Sequence, residues 1–497
     1  MSAINALRDP AKAVAADGRV LPLHHAPMVD ALPEDDLERI HAAALRILGE
    51  TGVAVSSDRV AARLGAAGAH VEAARVRFPS ALVEEALRQA PRELLLAARD
   101  PACDLRVGGG EGWLGIGGPA DRVVDLQTDE GREPVLADVA VASRLADAVP
   151  QVGFVGPSVA ALDLEGGSRA LHELHAQVTN TSKHVQVAVP PDAPRAEALA
   201  EIARTVAGDG EALRARPVVS AFLRVGTPLA LDGEGLEAAV ALARAGIPCG
   251  FVTEPVAGTT APATLAGALV TALAEVLAGV VALKLLVPGA PTFVGTTALA
   301  ATLGDEPSTG GPQDPLFQMA WVQMARRVGL PSHLGAFATG AKSSDWQAGM
   351  EGGLSGTACW MTGPDLLAAA GLRDGGRVFS PVAMLLDTEL FDLVRQIPLG
   401  FEVDEETLAV EVIEKVGPGE HFLGEPHTLR HMREAWMSRF MDTDSWEAWE
   451  EAGRPQPPER AHARALELLA SHEPTPLEPA AEERIREVIA EHERDHG

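Results

Sequence analysis

Short apolar segments alternate with longer amphipathic segments through the middle of the chain. From about residue 150 to 400, runs rich in Val, Phe and Thr are each followed by a stretch of Ala and Leu at helical spacing. Strands that alternate with helices form βαβ units, so this pattern predicts a parallel sheet covered by helices. Seven runs are the predicted strands: 154–159, 184–189, 218–225, 249–253, 292–296, 333–338 and 366–372.

An eighth strand at 122–126 would give the number that closes a barrel. An open doubly wound sheet is the alternative, but such sheets usually carry a phosphate-loop fingerprint that this region lacks. We therefore expect an α/β fold: a (β/α)8 TIM barrel with an N-terminal α+β extension and a C-terminal helical extension. The predicted boundaries are 1–105 for the mostly helical N-terminal extension, 106–400 for the barrel, and 401–497 for a charged helical region packed on or beside it.

One segment has the length of a membrane span. Residues 264–283 contain Glu275 as their only charged residue, and about twenty apolar residues can cross a bilayer. Ala, Gly and Thr dominate the segment, however, and no second candidate accompanies it. We expect a buried helix and no membrane association.

Composition narrows the class of protein. The 497 residues include 41 Lys and Arg against 70 Asp and Glu, for a net charge of −29, which argues against a nucleic-acid partner. The three cysteines lie far apart, so neither a disulfide framework nor a cysteine zinc site is predicted. No apolar signal segment opens the chain, and a reducing cytoplasm fits best.

Two motifs match the spacing of a nucleotide-binding or metal-binding site, but we reject both interpretations. Gly110, Gly112 and Gly115 match the dinucleotide-binding spacing, but the residues that follow read as a glycine-rich turn or strand and not as the required helix. His427 and His431 lie one helical turn apart, yet the acidic neighbour and third ligand of a zincin are missing. We expect no metal site.

The candidate chemistry lies at the carboxyl ends of the predicted strands, where barrel enzymes place reactive groups. Glu254 follows one strand and Thr296 ends the next, while the segment TGAKSSDWQAGME follows a third. A carboxylate among aromatic faces suits a permanent cation, and without tyrosine these faces must come from Phe and Trp. The candidate residues are Glu254, Thr296, His333, Phe337, Lys342, Asp345, Trp346, Gln347 and Glu351, with Ser344 as the predicted cap of the following helix.

Four segments in this order resemble one family: LHELHAQVTNTSKHV, GTTAPATLAGALVTALAEVLAGVVALKLLVPGAP, TGAKSSDWQAGMEGGL and VGPGEHFLGEPHTLRHMRE. Together they are similar to the trimethylamine:corrinoid methyltransferases over residues 30–470. The branch without pyrrolysine, which includes glycine-betaine:corrinoid methyltransferases, fits best, because the segment matching the pyrrolysine region (333–342) contains only standard residues. No single residue is aligned with the pyrrolysine.

The resemblance implies that a methyl group passes from a quaternary or tertiary methylated amine, such as a betaine, to a corrinoid (cobalamin) cofactor. The chain itself is expected to bind no cofactor, since it lacks a corrinoid-binding D-x-H-x-x-G segment; a corrinoid partner protein would carry it. A homo-oligomer, and the identity of the amine, are left open.

In this scheme Glu254, Phe337 and Trp346 hold the cation, and Asp345 or Glu351 assists. Thr296 and Gln347 complete the binding residues, and Lys342, His333 or Asn180 would bind a substrate carboxylate. Two alternatives stay open: a different methyl acceptor, such as a folate or thiol, and a non-catalytic protein that binds quaternary amines.

Overall fold

A computed structural model of the chain describes residues 20–24, 29–164, 166–297, 299–302, 307–335, 337–399, 401–432 and 436–496. The N-terminal part combines helices with short strands. Its helices are α1 (Glu34–Arg46, followed by a π-turn at Ile47–Thr51), α2 (Asp58–Ala66) and α3 (Ser80–Arg88). Its strands are Leu23–His24, Val53–Val55, His70–Glu72, Arg75–Arg77, Leu94–Leu96 and Leu105–Val107.

Eight parallel strands close into a barrel, because the last strand pairs with the first. The fold predicted from the sequence is thus confirmed. The strands are β1 (Glu111–Ile116), β2 (Val152–Val155), β3 (His184–Ala188), β4 (Val219–Val225), β5 (Cys249–Thr253), β6 (Val294–Thr296), β7 (Ser332–Gly335) and β8 (Leu366–Ala368).

The first barrel strand is not the predicted one. It is β1, from the glycine-rich patch, whereas Arg122–Val124 pairs with Gly131–Arg132 and Val378–Phe379 in a small separate sheet. A Cβ atom on Gly115 would lie 2.3 Å from the Phe154 ring. Glycine is therefore required in β1 because this ring fills the barrel interior, which is a packing demand and not a turn signal.

A helix follows every barrel strand, and consecutive helices pack against one another around the outside. The sequence marks several of their ends: Asp232 and Thr264 accept hydrogen bonds from the first turns of two helices, and Gly246 and Gly329 end two in the left-handed conformation. The helices are α4 (Leu136–Asp147), α5 (Arg169–Asn180), α6 (Ala193–Ala207), α7 (Gly210–Ala215), α8 (Gly233–Ala245), α9 (Leu265–Leu286), α10 (Gln313–Val328), α11 (Trp346–Trp360) and α12 (Pro381–Leu399).

Within the described residues, α9 is the one helix long and apolar enough to cross a membrane, and 78% of its most apolar window is buried inside the fold. Its Glu275 is buried as well and accepts hydrogen bonds from Leu229 N and Thr253 Oγ1. Burial raises the pKa of this carboxyl. The polar residue that counted against a membrane span thus fastens α9 to the end of β5 and to the loop after β4.

The C-terminal part contains α13 (Glu405–Leu408), α14 (Val410–Val416), α15 (Pro426–His431), α16 (Trp446–Glu451), α17 (Pro457–Ser471) and α18 (Pro479–His496). Helix α17 packs between α12 and α4, and α18 packs on α5 and α6. Helices α17 and α18 therefore contribute to the outer layer of the barrel.

Candidate functional site

A cavity of about 440 Å³ opens at the carboxyl ends of the barrel strands. Two small β-sheets contribute to its lining: Val256 and Ala300 come from the sheet of Val256–Ala257, Ala300–Thr302 and Pro307–Ser308, and Leu372 comes from the sheet that contains Arg122–Val124. Its polar and aromatic wall residues are Asp121, Gln186, Phe222, Arg224, Glu254, Thr296, Thr297, Thr309, His333, Thr339 and Arg377. The volume suits a small organic ligand.

Two opposite charges meet on this wall. Arg224 is the penultimate residue of β4 and Glu254 follows β5, and the pairing of these strands brings Arg224 Nε within 3.2 Å of Glu254 Oε1. The side chains are 47% and 40% exposed. Ion pairs this exposed contribute little to folding stability, so the fold itself does not require the pair. Both charges remain accessible to a ligand.

The floor of the cavity is neutral and partly aromatic. His333 Nε2 lies 3.1 Å from Gln186 Oε1, and the imidazole packs among Phe154, Phe222 and Phe293. Burial lowers the pKa of His333 to about 4, so the ring is neutral at pH 7. His333 Nδ1 and Gln186 Nε2 have no hydrogen-bond partner among the described residues. Both atoms are closed off from solvent, so they lie within the wall and do not face the cavity.

Glu351 lies behind the wall and supports it. Its Oε2 accepts hydrogen bonds from Thr339 Oγ1 at 2.7 Å and Gly340 N at 2.9 Å, and its Oε1 accepts one from Gln347 Nε2 at 2.9 Å. Thr339 lines the cavity, whereas Glu351 and Gln347 do not. Glu351 and Gln347 therefore lie outside the cavity, where their hydrogen bonds position the loop after β7.

Other residues predicted for the site lie elsewhere. Trp346 is 82% exposed at the start of α11, and Phe337 is buried in the core beneath Gly356. Lys342 points outward to Asp374 Oδ1, 3.1 Å away. Asn180 ends α5, at the opposite end of the barrel, and accepts a hydrogen bond from Arg144.

The predicted cap of α11 is wrong by one residue. Asp345, not Ser344, is the N-cap, since its Oδ1 accepts a hydrogen bond from Ala348 N. The hydrogen bonds from Ser343 Oγ and from the backbone of this turn lower the pKa of Asp345. Its carboxylate is thus occupied by the start of the helix and does not face the cavity.

Sequence reasoning thus placed Glu254, Thr296 and His333 where the structure forms the cavity, and it missed Gln186, Phe222 and Arg224. The missed residues do carry a signal. Gln186 and Arg224 are polar residues inside otherwise apolar runs. In a barrel strand, such an interruption near the carboxyl end indicates a side chain that points into the mouth.

The family model for trimethylamine methyltransferase (MTTB) matches residues 5–497. Among relatives, trimethylamine methyltransferase MttB of Desulfitobacterium hafniense is 31% identical, over 93% of this chain and 94% of its own length. Glycine betaine methyltransferase of D. hafniense is also 31% identical, over 95% and 98%. The two relatives are equally similar, so identity does not choose between their substrates.

A solved structure has the same fold. The monomethylamine methyltransferase of Methanosarcina barkeri superposes with a TM-score of 0.53 over 90% of this chain and 89% of that chain. The sequence identity is 10%, so this similarity concerns the architecture alone.

Proposed function

The chain belongs to the trimethylamine methyltransferase family, and from that premise we propose that it moves a methyl group from a zwitterionic quaternary amine, such as a betaine, to the corrinoid of a partner protein. The observation that carries the choice of substrate is the Arg224–Glu254 pair on the cavity wall. A betaine has one quaternary ammonium and one carboxylate. Trimethylamine has no carboxylate for the arginine to bind.

In the proposed complex, the ammonium replaces Arg224 as the neighbour of Glu254, and the substrate carboxylate binds the released guanidinium. The face of Phe222 covers the methyl groups, since an aromatic face attracts a desolvated cation. His333 is neutral, so it adds no positive charge that would repel the ammonium.

The reaction requires little acid–base chemistry from the protein. The C–N bond breaks, its electron pair stays on the nitrogen, and a neutral tertiary amine leaves; the acceptor supplies a Co(I) nucleophile when it is bound. The wall residues therefore orient one N–CH3 bond toward the opening and exclude water. Moderate ground-state binding is sufficient, because the positive charge disappears during transfer.

The acceptor is expected to stay at the rim. A cavity of about 440 Å³ accommodates a small amine, whereas a corrin macrocycle is several times larger than a betaine. We assign no residue of this chain to the corrinoid, which a separate protein would deliver.

The test uses the full-length protein, glycine betaine, and free cobalamin reduced to Co(I) as the acceptor. We expect dimethylglycine to form only when Co(I) is present, with a matching change in the cobalamin absorbance. Demethylation without any corrinoid would overturn the proposal in favour of another acceptor. Calorimetric binding without turnover, even with reduced cobalamin, would instead indicate a binding protein.

Two variants test the choice of substrate. Arg224→Gln should weaken glycine betaine binding by about tenfold or more while retaining binding of tetramethylammonium, which has no carboxylate. Glu254→Gln should weaken both ligands. Lys342→Gln removes an exposed cation outside the cavity and is the matched control. Equal loss of both ligands in Arg224→Gln would contradict the carboxylate role.

A further inference from the structure

Residues 401–432 form a segment without a core. The structure describes all 32 residues, and none of their side chains is buried. Three short helices, α13, α14 and α15, make up most of its regular structure, although isolated helices this short are unstable in water. Some other interaction must therefore hold them in place.

Three potential metal ligands converge within this segment. Glu406 in α13 meets His427 and His431 in α15, and their ligand atoms all lie within 4.8 Å of one another. Among the described residues, this is the one group of three His, Cys, Asp or Glu side chains arranged closely enough to hold an ion. The sequence offered no third ligand because Glu406 is twenty-one residues away from His427 along the chain.

The ligand atoms are spaced closely enough to converge on one ion; His427 Nε2 lies 3.0 Å from the main-chain oxygen of Glu406, a contact that an ion bound to this nitrogen would replace. Two ligands bound tetrahedrally at zinc distances lie about 3.4 Å apart, and His431 Nε2 is 3.5 Å from Glu406 Oε1. The rings of His427 and His431 are 4.4 Å apart between centroids, as expected for imidazoles one helical turn apart on the same face.

The surroundings favour a cation. The segment has eight Asp and Glu side chains against Lys415 and Arg430, so its field attracts positive charge. Arg430 Nη2 donates a hydrogen bond to Glu406 Oε1 at 2.5 Å, the same oxygen that lies 3.5 Å from His431 Nε2, so the guanidinium and the ion would share this oxygen. Carboxylates that bind metals are commonly oriented by such a second partner.

We propose that Glu406, His427 and His431 bind one divalent transition-metal ion, with Zn²⁺ as the best match, and that this ion joins α13 to α15. Two imidazoles and one carboxylate suit Zn²⁺ and disfavour Mg²⁺ and Ca²⁺, which require oxygen ligands. Water occupies the fourth position. The ion supplies the folding free energy that this segment cannot obtain from burial.

The test uses the full-length protein after treatment with EDTA and dialysis. Co²⁺ titration followed by visible absorption should show one saturable equivalent per chain, and Zn²⁺ should displace it. Glu406→Gln, His427→Ala and His431→Ala should each weaken binding by about tenfold or more. His421→Ala removes an exposed histidine from the same segment and should bind like the wild type.

A second measurement does not depend on the variants folding correctly. Limited proteolysis of the metal-free wild-type protein should cut within 401–432, and one equivalent of Zn²⁺ should slow that cleavage. The absence of a saturable equivalent in the wild type would overturn the proposal, as would unchanged binding in all three ligand variants or cleavage that ignores Zn²⁺. None of these outcomes depends on methyl transfer.

Discussion

At the scale of single residues, Phe222 and Trp346 show that the position of an aromatic ring decides whether it can bind a ligand. Phe222 lines the cavity, whereas Trp346 is 82% exposed outside it. We predict that Phe222→Leu, which keeps an apolar side chain but removes the aromatic face, weakens tetramethylammonium binding by about 1–2 kcal/mol. Calorimetry measures this effect, and Trp346→Leu is the control. A larger loss in Trp346→Leu would contradict the assignment.

The buried histidines predict how stability depends on pH. Burial lowers the pKa values of His184 and His333 to about 4 from an ordinary value of 6.5. Below pH 6.5 the unfolded chain binds protons that the folded chain does not, so their contribution to stability is lost as the pH falls from 6.5 toward 4. Asp314 opposes this trend, since burial raises its pKa to about 7 and the folded chain binds its proton first.

We predict that His333→Gln reduces the loss of unfolding free energy between pH 7.5 and 5 by about 2 kcal/mol relative to the wild type. Urea denaturation at each pH measures this difference, which does not depend on the stability of the variant at pH 7.5. Asp314→Asn should do the opposite and steepen the loss. An unchanged slope in His333→Gln would mean that His333 can take up a proton in the folded chain.

At the scale of elements, the position of β1 depends on Gly115. A Cβ atom there would lie 2.3 Å from the Phe154 ring, so Gly115→Ala should destabilise the protein by about 1–3 kcal/mol through overpacking. Gly109→Ala is the matched control, because its Cβ atom would meet nothing closer than Arg106 at 4.0 Å. Thermal or urea unfolding compares the two variants.

A double-variant cycle tests whether the Phe154 ring causes the destabilisation expected for Gly115→Ala. If the ring of Phe154 is what excludes a Cβ atom, Gly115→Ala should cost less in a Phe154→Leu background than in the wild type. Additive losses would show that Gly115 is needed for its backbone and not for the space it leaves.

The same element shows what the sequence could predict. Strands such as β4 and β5 are mostly apolar and alternate with helices, so the sequence pattern locates them. The glycine-rich sequence of β1 instead resembles a turn, because the ring that requires Gly115 lies on another strand. Glu254 could be predicted since it follows a strand directly. Arg224 interrupts an apolar run near the end of a strand, but its contact with Glu254 depends on the pairing of β4 with β5, which the sequence does not show.

At the scale of the whole molecule, the C-terminal helices are joined to the barrel by polar contacts as well as by packing. His472 Nε2 lies 2.7 Å from Asp147 Oδ2, at the end of α4. Lys183 and the hydrogen bond from His472 are among the causes that lower the pKa of Asp147. Arg99 donates hydrogen bonds to the carbonyl oxygens of both Thr181 and Thr475. The loop between α17 and α18 is thereby fixed to the amino end of the barrel.

This attachment bears on the three-part division at about residues 105 and 400, which we retain as a proposal about chain organisation. Ile485 in α18 is completely buried in the same apolar cluster as Leu199 and Ile202 of α6. A unit that shares its core with a barrel helix should unfold together with it. The division would then describe how the chain is arranged and not how it folds.

We therefore predict that Ile485→Ala lowers the unfolding free energy of the entire protein by about 2–5 kcal/mol, within a single transition. Differential scanning calorimetry and urea denaturation followed by circular dichroism measure it. Leu408→Ala, at a position that is 48% exposed, is the control and should have little effect. Two unfolding transitions in Ile485→Ala would contradict this prediction. They would show that α18 belongs to a separately folding unit, because only such a unit could lose stability while the barrel stays intact.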